Sequence, residues 1–463
     1  MNNKNRWWLL VLVCLPTLST RLSTNVVMSA LVSIGQAFPG VAGIGEWTLL
    51  IYTMTAASLS ILAGVLGDRY GLRKMYTLGL FIFLLGAIGA SLAKNGESLL
   101  LFRSISGVGS AVLAPVALAF LNRIFDRTEK PIAFGYWAAS ITIGSVVGPI
   151  LGGWIQDIWS WRLTFPIAAL PALIALAFVG NLPAYEPDQQ SKSIDTKGIV
   201  YLSALPAIIL FTLAMAGRFN PSSIIISLTI ILLGSFSFWK HLKKTENPVI
   251  DLQILENYKW WRPSIIQLII RCLFMAMLIL LTGYFHSIQG LSELNSSSAL
   301  FPFLISVGLM AFTSGYICKS IGIRKLMTTM FGLGLAGAVI LLSVQPDGFR
   351  IIDWIAICFI GLLAGSTSQL SRLSMANFGV NDSMKGASIN TLIINVGISI
   401  GAAYPTLIRS IISKQAHLSN IISKENLLHI MHEEVMVLIL LFCIGIWQAV
   451  KLKDLPKPQC LKT

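Results

Sequence analysis

Three arginines, Arg21, Arg103 and Arg271, stand well inside long apolar stretches of this chain. A charge in the interior of a bilayer costs at least about 2.5 kcal/mol and usually marks a pathway. A guanidinium offers a planar fork of donors that fits a carboxylate or a phosphate, and it does not give up its proton. Arg21 and Arg271 lie 250 residues apart, and an eleven-residue pattern occurs twice at nearly that offset, 251 residues. The first copy holds Gly64, Asp68, Arg69, Gly71, Arg73 and Lys74; the second holds Gly315, Lys319, Gly322, Arg324 and Lys325. Duplicated halves in a helical membrane protein are the signature of a secondary transporter. Two arginines at nearly equivalent positions of such halves would converge on one anion, with Arg103 and Asn25 as further candidate contacts. The same arginines could instead pair with backbone carbonyls or reach toward an interface.

The elements that must position these residues are transmembrane helices. Hydrophobic residues make up 55% of the 463 and charged residues only 12%, about half the charge of a soluble domain. Apolar stretches of about 20 residues, the length that crosses a bilayer, can be placed fourteen times, from 7–35 to 433–451. Lys4 and Arg6 precede the first, but no small-residue cleavage site follows, so it reads as a retained helix rather than a signal peptide. With both termini in the cytoplasm, cytoplasmic segments carry roughly three times as many Lys and Arg as external ones, as the positive-inside rule requires. The net charge of +14 is then topology, and nucleic-acid binding is not implied. The expected architecture is all-α: a six-helix bundle over 1–181, a linker with two extra helices over 182–259, and a second six-helix bundle over 260–463. The six cysteines show no CxxC spacing, so neither a metal cluster nor a disulfide framework is expected.

The first pattern copy, G-x-L-x-D-R-x-G-x-R-K, resembles the loop signature of the major facilitator superfamily. Arg103 lies in Leu100-Leu-Phe-Arg-Ser-Ile-Ser-Gly107-Val-Gly109, similar to that family's helix-4 motif. Gly144, Gly148, Pro149, Gly152 and Gly153 resemble its helix-5 antiporter motif. Trp159, Trp161, Arg162, Phe165 and Pro171 resemble the opening of helix 6, and Asn247-Pro-Val-Ile-Asp251 fits the segment before the second half. Together with the fourteen-helix layout these resemble the drug/proton antiporter branch, the multidrug exporters of bacterial inner membranes. The resemblance implies alternating access, proton-coupled efflux and a gate formed by Asp68, Arg69, Gly71, Arg73 and Lys74. Physically, Asp68 could cap a helix and latch a neighbouring arginine, or the loop could serve as a topological anchor alone. Gly144, Gly148 and Gly152 share a helix face and let two backbones approach; Pro149 adds a kink. The resemblance adds that this face seals or rocks during transport.

The chain departs from the exporter pattern at the acid. Where the branch carries an aspartate in helix 1, this chain has Ser23, and Ser106 replaces the usual glutamine of helix 4. By the apolar boundaries every acid lies in a loop or within a turn or two of a helix end. An acid-free, arginine-lined cavity argues against polyspecific cation export and for an anionic or zwitterionic small-molecule substrate. Candidate proton carriers sit at the margins: Glu46 at the start of helix 2, Asp157 at the end of helix 5, and His286 at the outer end of helix 9, where an interfacial histidine would also be ordinary. His429 and His432 could share a metal or simply belong to an amphipathic external segment. Uptake of a carboxylate metabolite or siderophore, and ligand sensing without transport, remain the other functional classes. No nucleophile–base pair, phosphate loop or cofactor motif points to an enzyme.

Overall fold

The computed structural model describes residues 3–41, 44–126, 128–185, 195–215, 221–245, 248, 258–291, 293–346, 348–376, 378, 383–415 and 424–452. The first bundle comprises α1 (Asn3–Ala37), α2 (Ile44–Tyr70), α3 (Leu72–Ser91), α4 (Gly96–Ile124), α5 (Lys130–Ile158) and α6 (Thr164–Ala177). Two helices follow, α7 (Thr196–Met215) and α8 (Pro221–Lys244). The second bundle comprises α9 (Tyr258–Gly283), α10 (Phe301–Ile321), α11 (Ile323–Leu341), α12 (Ile351–Gly365, resuming as Ser368–Met375), α13 (Ser383–Gln415) and α14 (Lys424–Val450). Among the described residues ten helices are long and apolar enough to cross a bilayer, and Trp161–Ala177, Thr196–Ile209 and Gly386–Gly401 are shorter apolar helices. Leu232, Leu233 and Phe236 of α8 point outward, and that helix packs on α7. Its last turn is tied to the start of α7 by His241 and Asp195, 2.7 Å apart.

The duplicated pattern makes the same turn twice. Gly71 separates α2 from α3 with φ 91°, and Gly322 separates α10 from α11 with φ 85°. Both carry ψ near the extended range, 145° and 161°, a backbone region that belongs to glycine. The Gly71 amide donates to Gly67 O and the Gly322 amide to Cys318 O, 3.0 Å each. Substituting Gly322 by alanine should therefore cost about 1–3 kcal/mol and lower the melting temperature of the detergent-purified protein. An unchanged melting temperature would mean that the turn does not need positive φ.

These turns, with Arg69, Arg73, Lys74, Arg324 and Lys325, define the basic end of the molecule. There the bundles are sealed together. Gln369 donates to Pro131 O across the bundle boundary, 3.0 Å. A Cβ on Gly315 would meet Pro131 O, and one on Gly135 would lie 3.0 Å from Ala311 O, so α5 and α10 touch backbone to backbone. Met375 and Ala387 are buried within the first bundle's core, and Ile61, Trp260, Phe378 and Ile389 form a further apolar cluster from both bundles. Excluding this apolar surface from water favours the closed contact at this end.

One boundary differs from the hydropathy reading in a way that matters. α14 begins at Lys424, nine residues before the expected 433, because Lys424, Glu425 and the histidines mask its first turns. His429 is thus helical, 3.5 Å from Glu433. Glu434 lies ten residues into the helix and is fully buried. The expectation that every acid stays within a turn or two of a helix end fails at this residue.

Candidate functional site

α1 and α9 occupy matching places, each mounted on a glycine pair. A Cβ on Gly144 would lie 2.8 Å from the Arg21 Cβ, and one on Gly148 would lie 2.6 Å from the Asn25 Cβ. In the second bundle a Cβ on Gly397 would lie 2.9 Å from the Arg271 Cβ, and one on Gly401 would meet Cys272 O. Glycines four apart on α5 and on α13 thus let the arginine helix of each half press close. The Gly144/Gly148 face serves packing within its own bundle, while the contact of α5 with the opposite bundle runs through Gly135 and Thr142. Pro149 lies inside the same helix, and Gly152 O accepts from Gln156 Nε2 at 3.1 Å.

Arg271 lies within electrostatic reach of Arg21, while the group that bears electrostatically on Arg21 is Tyr52. Both arginines are partly exposed. Arg271 Nη2 donates to Thr367 Oγ1 at 2.8 Å, while its Nε is buried without a protein acceptor. Thr367 sits in the two-residue turn between the segments of α12, where the backbone keeps helical φ and ψ. Below it runs a polar seam. Gln267 Nε2 donates to Ser371 Oγ at 3.0 Å, and Asn390 Nδ2 donates to the same oxygen at 3.3 Å. The carbonyl oxygens of Gln267 and Asn390 are buried without donors, which leaves two acceptors for a ligand or water. Asn25 turns its amide to Arg21 O, 2.8 Å. The sequence reading missed Thr367, Gln267, Ser371 and Asn390, although the run Ser366-Thr-Ser-Gln369 inside an apolar stretch was a usable signal.

The place of Arg103 revises the expectation that it lines the substrate cavity. It is fully buried inside the first bundle. Its Nε donates to Thr48 O at 3.1 Å and its Nη1 to Ser23 Oγ at 3.0 Å. The guanidinium lies 4.3 Å over the Tyr52 ring and 5.4 Å over Phe165, favourable for a cation, and Nη2 has no acceptor. The serine standing in the acid's place is therefore the residue that meets the helix-4 arginine. Tyr52 lies between Arg103 and Arg21 and interacts with both charges.

The gate residues fall together at the basic end. Asp68 faces Arg123 of α4 electrostatically, and Arg123 stacks 5.1 Å over Tyr185 in the inter-bundle linker. Arg69 and Lys74 are exposed, and Gly71 is the turn. Arg6 Nη1 reaches Asp126 at 2.8 Å and Glu129 at 3.4 Å, pinning the start of α1 to the loop before α5. At the other end Arg162 donates to the carbonyls of Ser91 and Ala93, a cation closing the C-terminus of α3.

Of the proposed coupling residues only His286 has a described side chain, and it lies far from the arginines. His286 is exposed in a π-helical turn, its Nδ1 3.1 Å from Leu291 O, about 22 Å along the helix from Arg271. Glu46 and Asp157 lie on α2 and α5, but their side chains fall outside the described residues. Two described acids are fully buried: Asp353 at the start of α12, paired with Arg350, and Glu434 well inside α14, whose burial the sequence reading missed. Tyr404 of α13 donates to the Glu434 backbone carbonyl at 2.7 Å and interacts with its charge and with Cys272, the neighbour of Arg271.

A sequence profile of the Major Facilitator Superfamily matches residues 13–402. The chain is 26% identical over 408 residues to the riboflavin transporter RibZ of Clostridioides difficile, covering 87% of this chain and 88% of that protein. It is 25% identical over 393 residues to the drug efflux pump JefA of Mycobacterium tuberculosis, covering 83% and 75% respectively. The fold matches the crystal structure of the human organic anion transporter MFSD10 with a TM-score of 0.68 at 14% identity, over 97% of this chain and 100% of that one.

Proposed function

The chain belongs to the major facilitator superfamily, and on that premise we propose that it carries a small organic anion or zwitterion across the cytoplasmic membrane by alternating access. It is a transporter and not an enzyme. The reading is carried by Arg21 and Arg271 standing on α1 and α9 at matching glycine-mounted positions of the two bundles, with the charge of Arg21 acting on Arg271. No acid among the described residues pairs with either. Like charges brought together in a low-dielectric interior are costly. A carboxylate or phosphate that accepts from both forks offsets that cost and gains orientation. Thr367 fixes one arginine, and the open acceptors of Gln267 and Asn390 select a substrate that also donates hydrogen bonds.

The charge bias supports a cytoplasmic location for the basic end, and on that reading this state is closed on the cytoplasmic side. Asp68, Arg123 and the surrounding loop would hold it closed until substrate or proton exchange favours the other state. Proton-coupled efflux is the direction that the resemblance favours, with Glu434 the first acid to examine. Uptake uses the same site in reverse.

Flux into proteoliposomes tests the reading. Radiolabelled di- and tricarboxylates should accumulate or exchange across protein-containing vesicles, respond to an imposed pH gradient, and stay at background in empty ones. Glu434→Gln should blunt the response to the gradient while leaving substrate binding in place. The second reading, drug efflux, is favoured by the likeness to the drug efflux pump JefA, and lipophilic cations serve as its probe. Flux of cationic dyes with no flux of anions would establish it and overturn the anion reading.

A further inference from the structure

A groove opens on the outer surface at the basic end, between α3, the end of α6 and the linker, with a cavity volume of about 850 Å³. Its mouth carries Arg73 and Lys74 and its wall carries Leu78, Phe81 and Leu176. Leu78 is 48% and Phe81 59% exposed, so the apolar wall faces lipid rather than the transport path. Arg73 is laid along the groove, its Nη2 3.7 Å from where a Cβ on Gly180 would stand. From Gly71 to Phe81 the wall descends about 15 Å, half of a hydrocarbon core about 30 Å thick. Cations at headgroup depth above an apolar channel one leaflet deep match a single class of amphiphile. Among the described lining residues there is no acid, and the hydroxyls of Tyr70, Thr77 and Tyr185 are neutral, so a phosphate gains more there than an ammonium does.

We propose that this groove holds an anionic phospholipid, with its phosphate on Arg73 and Lys74 and its acyl chains along Leu78, Phe81 and Leu176. Juxtaposed basic residues draw anionic lipid, and the apolar wall supplies the affinity that a free phosphate lacks. The far wall of the groove includes Tyr185, the ring that carries Arg123 opposite Asp68. An occupied groove therefore abuts the gate network. The inference is independent of the identity of the substrate.

Native mass spectrometry of the purified full chain tests it, with dioleoyl phosphatidylglycerol, dioleoyl phosphatidylcholine and inorganic phosphate as probes. Phosphatidylglycerol should be retained in preference to phosphatidylcholine, and phosphate alone should not be retained. Arg73→Gln with Lys74→Gln should weaken phosphatidylglycerol roughly fivefold per charge removed. Leu176→Trp, which fills the groove and keeps both cations, should displace the lipid as well. Equal retention of the two lipids, or undiminished phosphatidylglycerol in either variant, would overturn the assignment. Retention of phosphate alone would replace it with a free-anion site.

Discussion

Changing Arg21 and Arg271 together to glutamine is expected to weaken binding of a carboxylate substrate by a hundredfold or more. Each charge-assisted hydrogen bond contributes about 1.5–3 kcal/mol, and each guanidinium offers a fork rather than a single donor. Singly, either change should cost roughly tenfold or more. Stability should move the other way. The like charge of Arg21 bears on Arg271, and Arg271 holds a buried donor with no acceptor, so glutamine at either position is expected to relieve an unfavourable term. The signature is lost ligand binding with an equal or higher melting temperature in the absence of ligand, read by isothermal titration and thermal melts of the same preparations. Binding and melting temperature falling together would indicate that the arginines are structural.

The second large effect concerns Ser23. Arg103 is fully buried and meets only neutral groups: Thr48 O, Ser23 Oγ and two aromatic faces. An aspartate at position 23 would carry its carboxylate one bond beyond the place of Ser23 Oγ, which accepts from Nη1 at 3.0 Å, and so toward both Nη1 and the open Nη2. Ser23→Asp is therefore expected to stabilise the protein by about 1.5–3 kcal/mol at neutral pH, the range for hydrogen bonds to charged groups. In an Arg103→Gln background the same aspartate would be a buried, unpaired charge, and it should destabilise by about 3–5 kcal/mol. The sign reversal between the two backgrounds, measured by thermal melts, is what distinguishes pairing from incidental packing. A stabilisation that persists without Arg103 would refute the pairing.

How much of this was legible depends on what a linear sequence encodes. The repeat offset and the glycine at its centre anticipated the matched turns at Gly71 and Gly322, because a positive-φ turn between antiparallel helices demands glycine. Residue count along an apolar stretch gives depth, so Arg21 and Arg271 could be placed at similar heights. Depth does not give the face: each residue rotates the helix by about 100°, and a boundary uncertain by a few residues loses the direction. That is why Arg103 was expected in the cavity and lies inside a bundle instead. Hydroxyl residues barely alter hydropathy, which hid Thr367 and Ser371 within α12. The early start of α14 hid Glu434, since Lys424 and Glu425 read as loop. Gly397 and Gly401 had the spacing of Gly144 and Gly148 without the flanking motif that drew attention to the first pair.

The most direct test of the arginine site is a thermal-shift comparison on the unaltered protein, with matched series of polycarboxylates, organic phosphates and lipophilic cations, and riboflavin alongside. A ligand that binds only the folded state raises the melting temperature by mass action, worth about 2.7 kcal/mol at a hundred times its Kd. The account predicts concentration-dependent stabilisation by members of the anion series, with competition between them, and none by the cations. Stabilisation by cations alone, or by riboflavin unaffected when Arg21 and Arg271 are both glutamine, would contradict it.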